Sequence, residues 1–199
     1  MKKLQKYFDD QKEYICCHQG CAKCCRRAQF PYTEIEFKLI CEGLSSLEPK
    51  LRKRIFGKIK NLNAKKQKFL EENPDKKFIY NCPFLVNNEC SVYYYRGLVC
   101  RAFGLMTFKL NSSELPGIPF CAYKGLNYSK VLDKKTNNIS LEKFEKYKFK
   151  NEPLAFNVDY KTLINDEIGQ GFGFEFGDVK PLIDWFKDME ECPAGTPNR

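Results

Sequence analysis

The apolar residues near the start of the chain, Leu4, Tyr7, Phe8, Tyr14 and Ile15, recur on one face of a helix. They predict a helix over residues 4–15 that ends just before the first cysteines. After Phe30-Pro31, Thr33 and Glu36 spell a capping box, and Phe37, Ile40, Cys41 and Leu44 follow at helical spacing. Cys41 then sits on an apolar face, where a buried cysteine behaves as a small hydrophobe. Ser46 is placed to cap a third helix with the stripe Leu51, Ile55, Ile59, Leu62 and Phe69, which Asn73-Pro74 stops because the residue before proline disfavours the α region. From Phe78 the texture changes to short β-like pieces at 78–80, 92–95 and 105–110, broken by Pro83, Asn87-Asn88 and Gly104. In this reading Tyr93, Tyr94 and Tyr95 alternate across a half-buried strand. Residues 111–139 are rich in turn formers, Ser140 or Leu141 opens a short helix, and Asp178 caps a last one reaching Trp185. The stretch from Gly169 to Gly177 alternates Gly with Phe and reads as strand or turn, not as a phosphate loop. The pattern predicts an α+β fold, a compact helix-rich domain with short strands and irregular loops around the cysteine-rich stretches. Residues 1–130 would form the cysteine-cluster domain, and 131–199 a C-terminal α/β segment packed on it.

Composition sharpens the chemistry. The chain has 199 residues, 11 of them Cys and only one His, and a formal net charge of +9. No apolar run approaches the roughly 20 residues of a membrane span, and the charged opening lacks a signal-peptide core, so a cytoplasmic protein is expected. An odd number of cysteines in a reducing compartment points to metal binding instead of a disulfide framework. With His18 alone, sites rich in imidazole and most Cys-His nucleophile pairs are excluded, so any metal is held mainly by sulfur. His18 itself is read as facing solvent.

The densest feature is the run Cys17, Cys21, Cys24 and Cys25, a C-x3-C-x2-C-C spacing whose Gly20 permits a tight turn. Neighbouring Lys23, Arg26 and Arg27 would favour thiolate, the ligand form. A second group follows at Cys82-Pro83-Phe84-Leu85, Cys90 and Cys100-Arg101, with Cys121 further on. Metal bridging the two groups would close a large loop and tie metal binding to folding stability.

These blocks, with the Thr33-x-x-Glu36 segment between them, resemble the YkgJ-type cysteine-cluster family of zinc- or iron-chelating domains, named for a CxxCxxCC signature. The likeness spans most of residues 14–126. It implies ligand roles for Cys17, Cys21, Cys24, Cys25, Cys82, Cys90 and Cys100, with Cys121 as an eighth. Eight sulfurs exceed one four-coordinate centre: either two centres share them, or one takes four and the others are bystanders. Adjacent Cys24 and Cys25 are expected to point differently, and Cys16 is an alternative to Cys17. Two departures stand out. The first gap holds three residues where the signature has two, and Gly97 replaces a usual proline, which predicts a looser turn before Cys100. Cys192, in a polar tail, is expected to be an exposed thiol, and Arg26, Arg96 and Arg101 are candidate donors to sulfurs or carbonyls.

Three classes of function follow. The first is a metal-binding protein whose metal ion is zinc or iron, including a [4Fe-4S] cluster, since Cys17, Cys21 and Cys24 suit either. The second is a cluster-containing enzyme or accessory protein, because the same domain is similar to part of flagellin lysine methylases. The radical-adenosylmethionine version is weakened by Lys23 before the third cysteine and by the lack of a strand-helix barrel pattern. The third is a zinc-stabilised nucleic-acid binder using the lysine-rich residues 50–77, for which a solvated helix face is the simpler account. No residue earns a catalytic role from the sequence.

Overall fold

A computed structural model describes residues 2–108, 116–158, 160, 164, 166–171, 173–187 and 189–192. It is a mixed α+β structure with short two-stranded sheets. The chain divides into two compact units that interleave in sequence: one contains 1–19 and 102–168, the other 20–101 and 169–199. Among the described residues no helix is long and apolar enough to cross a membrane.

The second unit is organised by two helices, α2 (Glu34–Ser45) and α3 (Pro49–Glu72). The Thr33–Glu36 capping box forms as expected: the Thr33 hydroxyl accepts from the Glu36 N–H at 3.3 Å, and Glu36 accepts from the Thr33 N–H at 2.9 Å. Phe37, Ile40, Cys41 and Leu44 are buried, and they pack with Ile55 and Ile59 of α3 in the unit's main core. Ser46 does not cap α3. It terminates α2, its N–H and hydroxyl satisfying carbonyls of the last turn, while Pro49 opens α3 with the fixed φ suited to a first helical position. Asn73 ends α3 as expected, and its side-chain amide donates to the Phe69 carbonyl.

The antiparallel pair β1 (Pro31–Thr33) and β8 (Val179–Pro181) joins the end of the chain to the start of α2. Asp178 therefore leads into a strand and not a helix; its carbonyl accepts from the Glu34 N–H, and only a 3-10 turn, Leu182–Phe186, follows. Phe186 and Trp185 pack on Phe37, with ring centroids 5.0 and 5.2 Å away. A hairpin, β2 (Leu85–Val86) with β3 (Glu89–Cys90), turns on Asn87 and Asn88, both at positive φ. Tyr93–Tyr95 form a 3-10 turn and not a strand, and helix α4 (Leu98–Ala102) begins three residues later. Of the piece expected at 78–80, Tyr80 alone bridges to Ala28.

The first unit holds α1 (Lys2–Asp10), the parallel pair β4 (Met106–Thr107) and β7 (Ala155–Phe156), the hairpin β5 (Leu132–Asp133) with β6 (Asn138–Ile139), and α5 (Leu141–Tyr147), capped by Ser140. Helix α6 (Asp166–Gly171) takes up part of the Gly/Phe stretch, which then turns at Gly173. Lys109 and Leu110, at the end of the piece expected at 105–110, lie outside the described residues. The periodic face at residues 4–15 overshoots α1 because side chains beyond Asp10 bond elsewhere. Buried Gln11 donates to the Glu152 carbonyl and accepts from the Leu154 N–H, Glu13 accepts from the Asn151 N–H, and the Tyr14 hydroxyl donates to the Asn151 carbonyl. Those tertiary bonds outweigh continuing one amphipathic helix.

The expected free-cysteine roles of Cys41 and Cys192 are corrected. The two form a disulfide, with Cα atoms 5.4 Å apart at a sequence separation of 151, and half-buried Cys192 joins the core beside α2. Proximity in the fold, invisible in the polar sequence around Cys192, brings them together. The link restricts the unfolded chain over a long loop, so Cys192→Ser should lower stability to denaturant by about 2–5 kcal/mol under oxidising conditions. The loss should vanish when both proteins are reduced; equal stability of the two oxidised proteins would contradict the link.

Candidate metal centre

The local backbone explains how the second unit gathers sulfur. Gly20 lies at φ 83° and Ala22 at φ 48°, so the chain reverses around half-buried Cys21. Cys24 then leads into a 3-10 turn, Cys25–Arg27, closed by Arg27 N–H to the Cys24 carbonyl at 3.1 Å. The Cys25 carbonyl accepts from the Cys82 N–H at 2.7 Å, which fastens the first cysteine group directly to the second. Cys90 lies opposite Leu85 in the β2–β3 hairpin, and Arg26 donates to the Asn88 side chain at its turn. Cys100 rides on α4, whose first N–H, at Leu98, donates to the Glu36 carboxylate at 2.6 Å. Glu36 thus closes the capping box with one oxygen and anchors the helix of Cys100 with the other.

Gly97 does not loosen this turn. A Cβ there would stand 2.5 Å from the Tyr32 ring and 3.0 Å from Glu36, so the missing side chain makes room for Tyr32. Tyr32 is 2% exposed, and its hydroxyl lies 3.0 Å from the Cys100 sulfur. Burial holds the phenol well above its ordinary range, so it stays protonated and can donate to a thiolate. No sequence cue marked Tyr32, whose position before the capping threonine suggests only a strand.

Cys24 and Cys25 differ from expectation: their sulfurs lie 3.9 Å apart. Zinc–sulfur bonds of about 2.3 Å in a tetrahedron place ligand sulfurs roughly 3.8 Å apart, so these neighbours are spaced like two ligands of one ion. The hydrogen bond with Cys25, then burial, pushes the Cys24 thiol up. Burial pushes Cys82 up strongly, with Cys100, Cys90 and Cys24 adding to it. Burial likewise raises Cys90, and it takes Cys100 up to about 12 despite the Tyr32 hydrogen bond and the Arg96 charge. Within the first motif the Cys24 thiol is therefore raised, and not lowered as its basic neighbours led one to expect.

Arg96 is the cation that favours thiolate at Cys90 and Cys100. It stacks over Tyr93, its Cζ 3.6 Å from the ring centroid. Arg101 donates to the carbonyls of Arg96 and Tyr94, bracing the loop and not a sulfur.

Cys24, Cys25, Cys82, Cys90 and Cys100 thus share one neighbourhood. Among the described residues no three Cys, His, Asp or Glu side chains are already set as a metal-ligand group. The chemistry of the donors nonetheless fits a thiophilic cation: soft sulfurs, few competing oxygens, and burial that leaves several thiols neutral unless positive charge is added. Cys17 and Cys121 lie in the first unit. Cys121 is buried in a 3-10 turn, Phe120–Lys124, and Cys17 lies against Asn127. His18 is exposed, its Nδ1 beside the Cys16 carbonyl.

A family model, "CxxCxxCC: Putative zinc- or iron-chelating domain", matches residues 16–121, slightly more than half of the chain. The chain belongs to the CxxCxxCC family. Neither the curated proteins nor the solved structures yielded a match. The CxxCxxCC match takes in both cysteine groups and the Thr33–Glu36 segment, and its limits fall on Cys16 and Cys121.

Tyr32→Phe keeps the buried ring and removes the donor to Cys100. Loss of such an outer hydrogen bond to a ligand should weaken metal binding about 10-fold or more, read in a competition titration with a chromophoric chelator. Unchanged affinity would show that the Tyr32 hydroxyl does not support Cys100 as a ligand.

Proposed function

We propose that this protein is a metal-binding cysteine-cluster protein that holds zinc or iron through thiolates, with Cys24, Cys82, Cys90 and Cys100 as its principal ligands and Cys25 beside them. The single observation that carries this reading is the joining of the two cysteine groups, where the Cys82 N–H donates to the Cys25 carbonyl at 2.7 Å beside the paired Cys24 and Cys25 sulfurs. Further ligand roles for Cys17, Cys21 and Cys121 are part of the same proposal, supported by the resemblance of the cysteine pattern. Bound zinc would tie the two cysteine groups together as a structural site, whereas an iron-sulfur cluster on the same sulfurs would add one-electron chemistry. A cytoplasmic setting suits the proposal, because it keeps the ligand thiols reduced; Cys41 and Cys192 would then be reduced there too, and their link forms on oxidation.

The residues of the chain set how the site responds to pH. Thiols raised by burial carry protons at neutral pH, and each must leave when its sulfur becomes a ligand. Apparent affinity should therefore rise with pH below the thiol pKa values, by up to about tenfold per unit for each proton released. The sign is opposite for the metal-free fold. Cys100 holds its proton in the folded chain up to about 12, whereas an unfolded cysteine loses it near ~8.5. The folded state therefore binds more protons between those values, and its stability falls as pH rises through them.

The test is anaerobic purification without chelators, followed by measurement of zinc, iron and acid-labile sulfide per chain. Near-stoichiometric zinc or iron is expected, and matching iron and sulfide with absorption near ~400 nm would identify a cluster. Cys24→Ser and Cys82→Ser should lose or alter that metal and lower the Tm, whereas Cys192→Ser should keep it. A protein without metal, and with no change in Tm on adding zinc or iron, would contradict the proposal.

A further inference from the structure

The first unit contains one fully buried amide whose bonds converge on the start of the cysteine motif. Asn127 is 0% exposed and lies beyond the residues matched by the family model. Its Oδ1 accepts from the Cys16 backbone N–H at 2.8 Å, and its Nδ2 donates to the Gly104 carbonyl at 3.0 Å. A backbone N–H can only donate and a carbonyl can only accept, so these two bonds fix which end of the amide is nitrogen. The remaining Nδ2 hydrogen is available to the Cys17 sulfur, 3.3 Å away, and that sulfur as a thiol can also donate to Oδ1 at 3.7 Å, so as a thiolate it keeps only the N–H donor.

Gly104 supplies an independent observation. It lies at φ 111°, and a Cβ there would stand 2.6 Å from Asn127 Nδ2 and 3.4 Å from the Cys17 sulfur. The missing side chain leaves the space that the amide occupies. Among the described residues the neighbouring Cys16 sulfur has no amide donor; its contact is with the Tyr14 carbonyl at 3.9 Å.

We propose that Asn127 is a positioning residue for Cys17: it donates an amide N–H to that sulfur, pins the backbone at Cys16, and so selects Cys17 over Cys16 as the first ligand of the motif. An N–H donor holds a sulfur without competing for it as a ligand, and it stabilises the thiolate that a metal requires. This inference rests on the metal-binding reading, and it gives one of two adjacent cysteines the role that their spacing leaves open.

Asn127→Asp tests it with little change in shape, because the carboxylate can still accept from the Cys16 N–H but can donate neither to Cys17 nor to the Gly104 carbonyl, and the double variant separates the two losses. Zinc affinity would be measured anaerobically by competition with a chromophoric chelator for the native protein, Asn127→Asp, Cys17→Ser, the double variant and Cys16→Ser, with near-UV circular dichroism as a check on folding. Asn127→Asp is expected to weaken zinc binding about 10- to 100-fold, and the double variant should bind no more weakly than Cys17→Ser alone. Native affinity in Asn127→Asp would overturn the proposal, as would losses that multiply in the double variant. The two cysteine variants decide the matter independently of how Asn127→Asp folds. Loss in Cys17→Ser with native affinity in Cys16→Ser supports the selection, and the reverse overturns it. Failure of the underlying reading has a different signature, since the native protein itself would then bind no zinc.

Discussion

Thiols buried beside one another are the constraint on which the second unit depends. Cys82 and Cys100 lie in surroundings that penalise a thiolate, and each would be further opposed by charge on its neighbours. Such a group has two stable conditions: all protonated, as small apolar side chains, or ionised together around a cation. The metal-binding proposal takes the second, and three contacts favour it. Tyr32 offers a hydroxyl to Cys100, Arg96 favours thiolate at Cys90 and Cys100, and Glu36 anchors the helix that carries Cys100.

The same constraint links local signals that look unrelated. The Thr33–Glu36 box begins α2, but the second oxygen of Glu36 also caps α4, so a helix-start motif and a cysteine-bearing helix share one carboxylate. Gly97 belongs to the same arrangement, because its missing Cβ admits the Tyr32 ring that reaches Cys100. The main-chain bond between Cys25 and Cys82 joins the two cysteine groups without any metal. Metal would therefore add to an existing attachment, and the stability it contributes would come largely from replacing protons on sulfurs that the fold has already gathered.

What the sequence disclosed was local. Helix α3 and the cap at Ser140 follow from periodicity and short-range hydrogen bonding, so their residues could be read in order. The failures are tertiary. Residues 11–15 left helix α1 for partners near residues 150–154, Asp178 was drawn into the β1–β8 pair, and the tyrosines at 93–95 tightened into a 3-10 turn beside α2. The candidate site divides in the same way. The resemblance and the cysteine spacing supplied the candidate sulfurs, while Tyr32 and Asn127 reach Cys100 and Cys17 across 68 and 110 residues and left no mark in any motif. Cys41 and Cys192 show the same limit, because a pairing across 151 residues cannot be read from an apolar helix face and a polar tail.

Sulfur ligation is the claim from which the other assignments follow, and X-ray absorption at the metal edge tests it most directly. The protein loaded anaerobically with zinc should show a first shell dominated by sulfur at about 2.3 Å, with four scatterers per ion. A first shell dominated by nitrogen or oxygen at about 2.0–2.2 Å would contradict it.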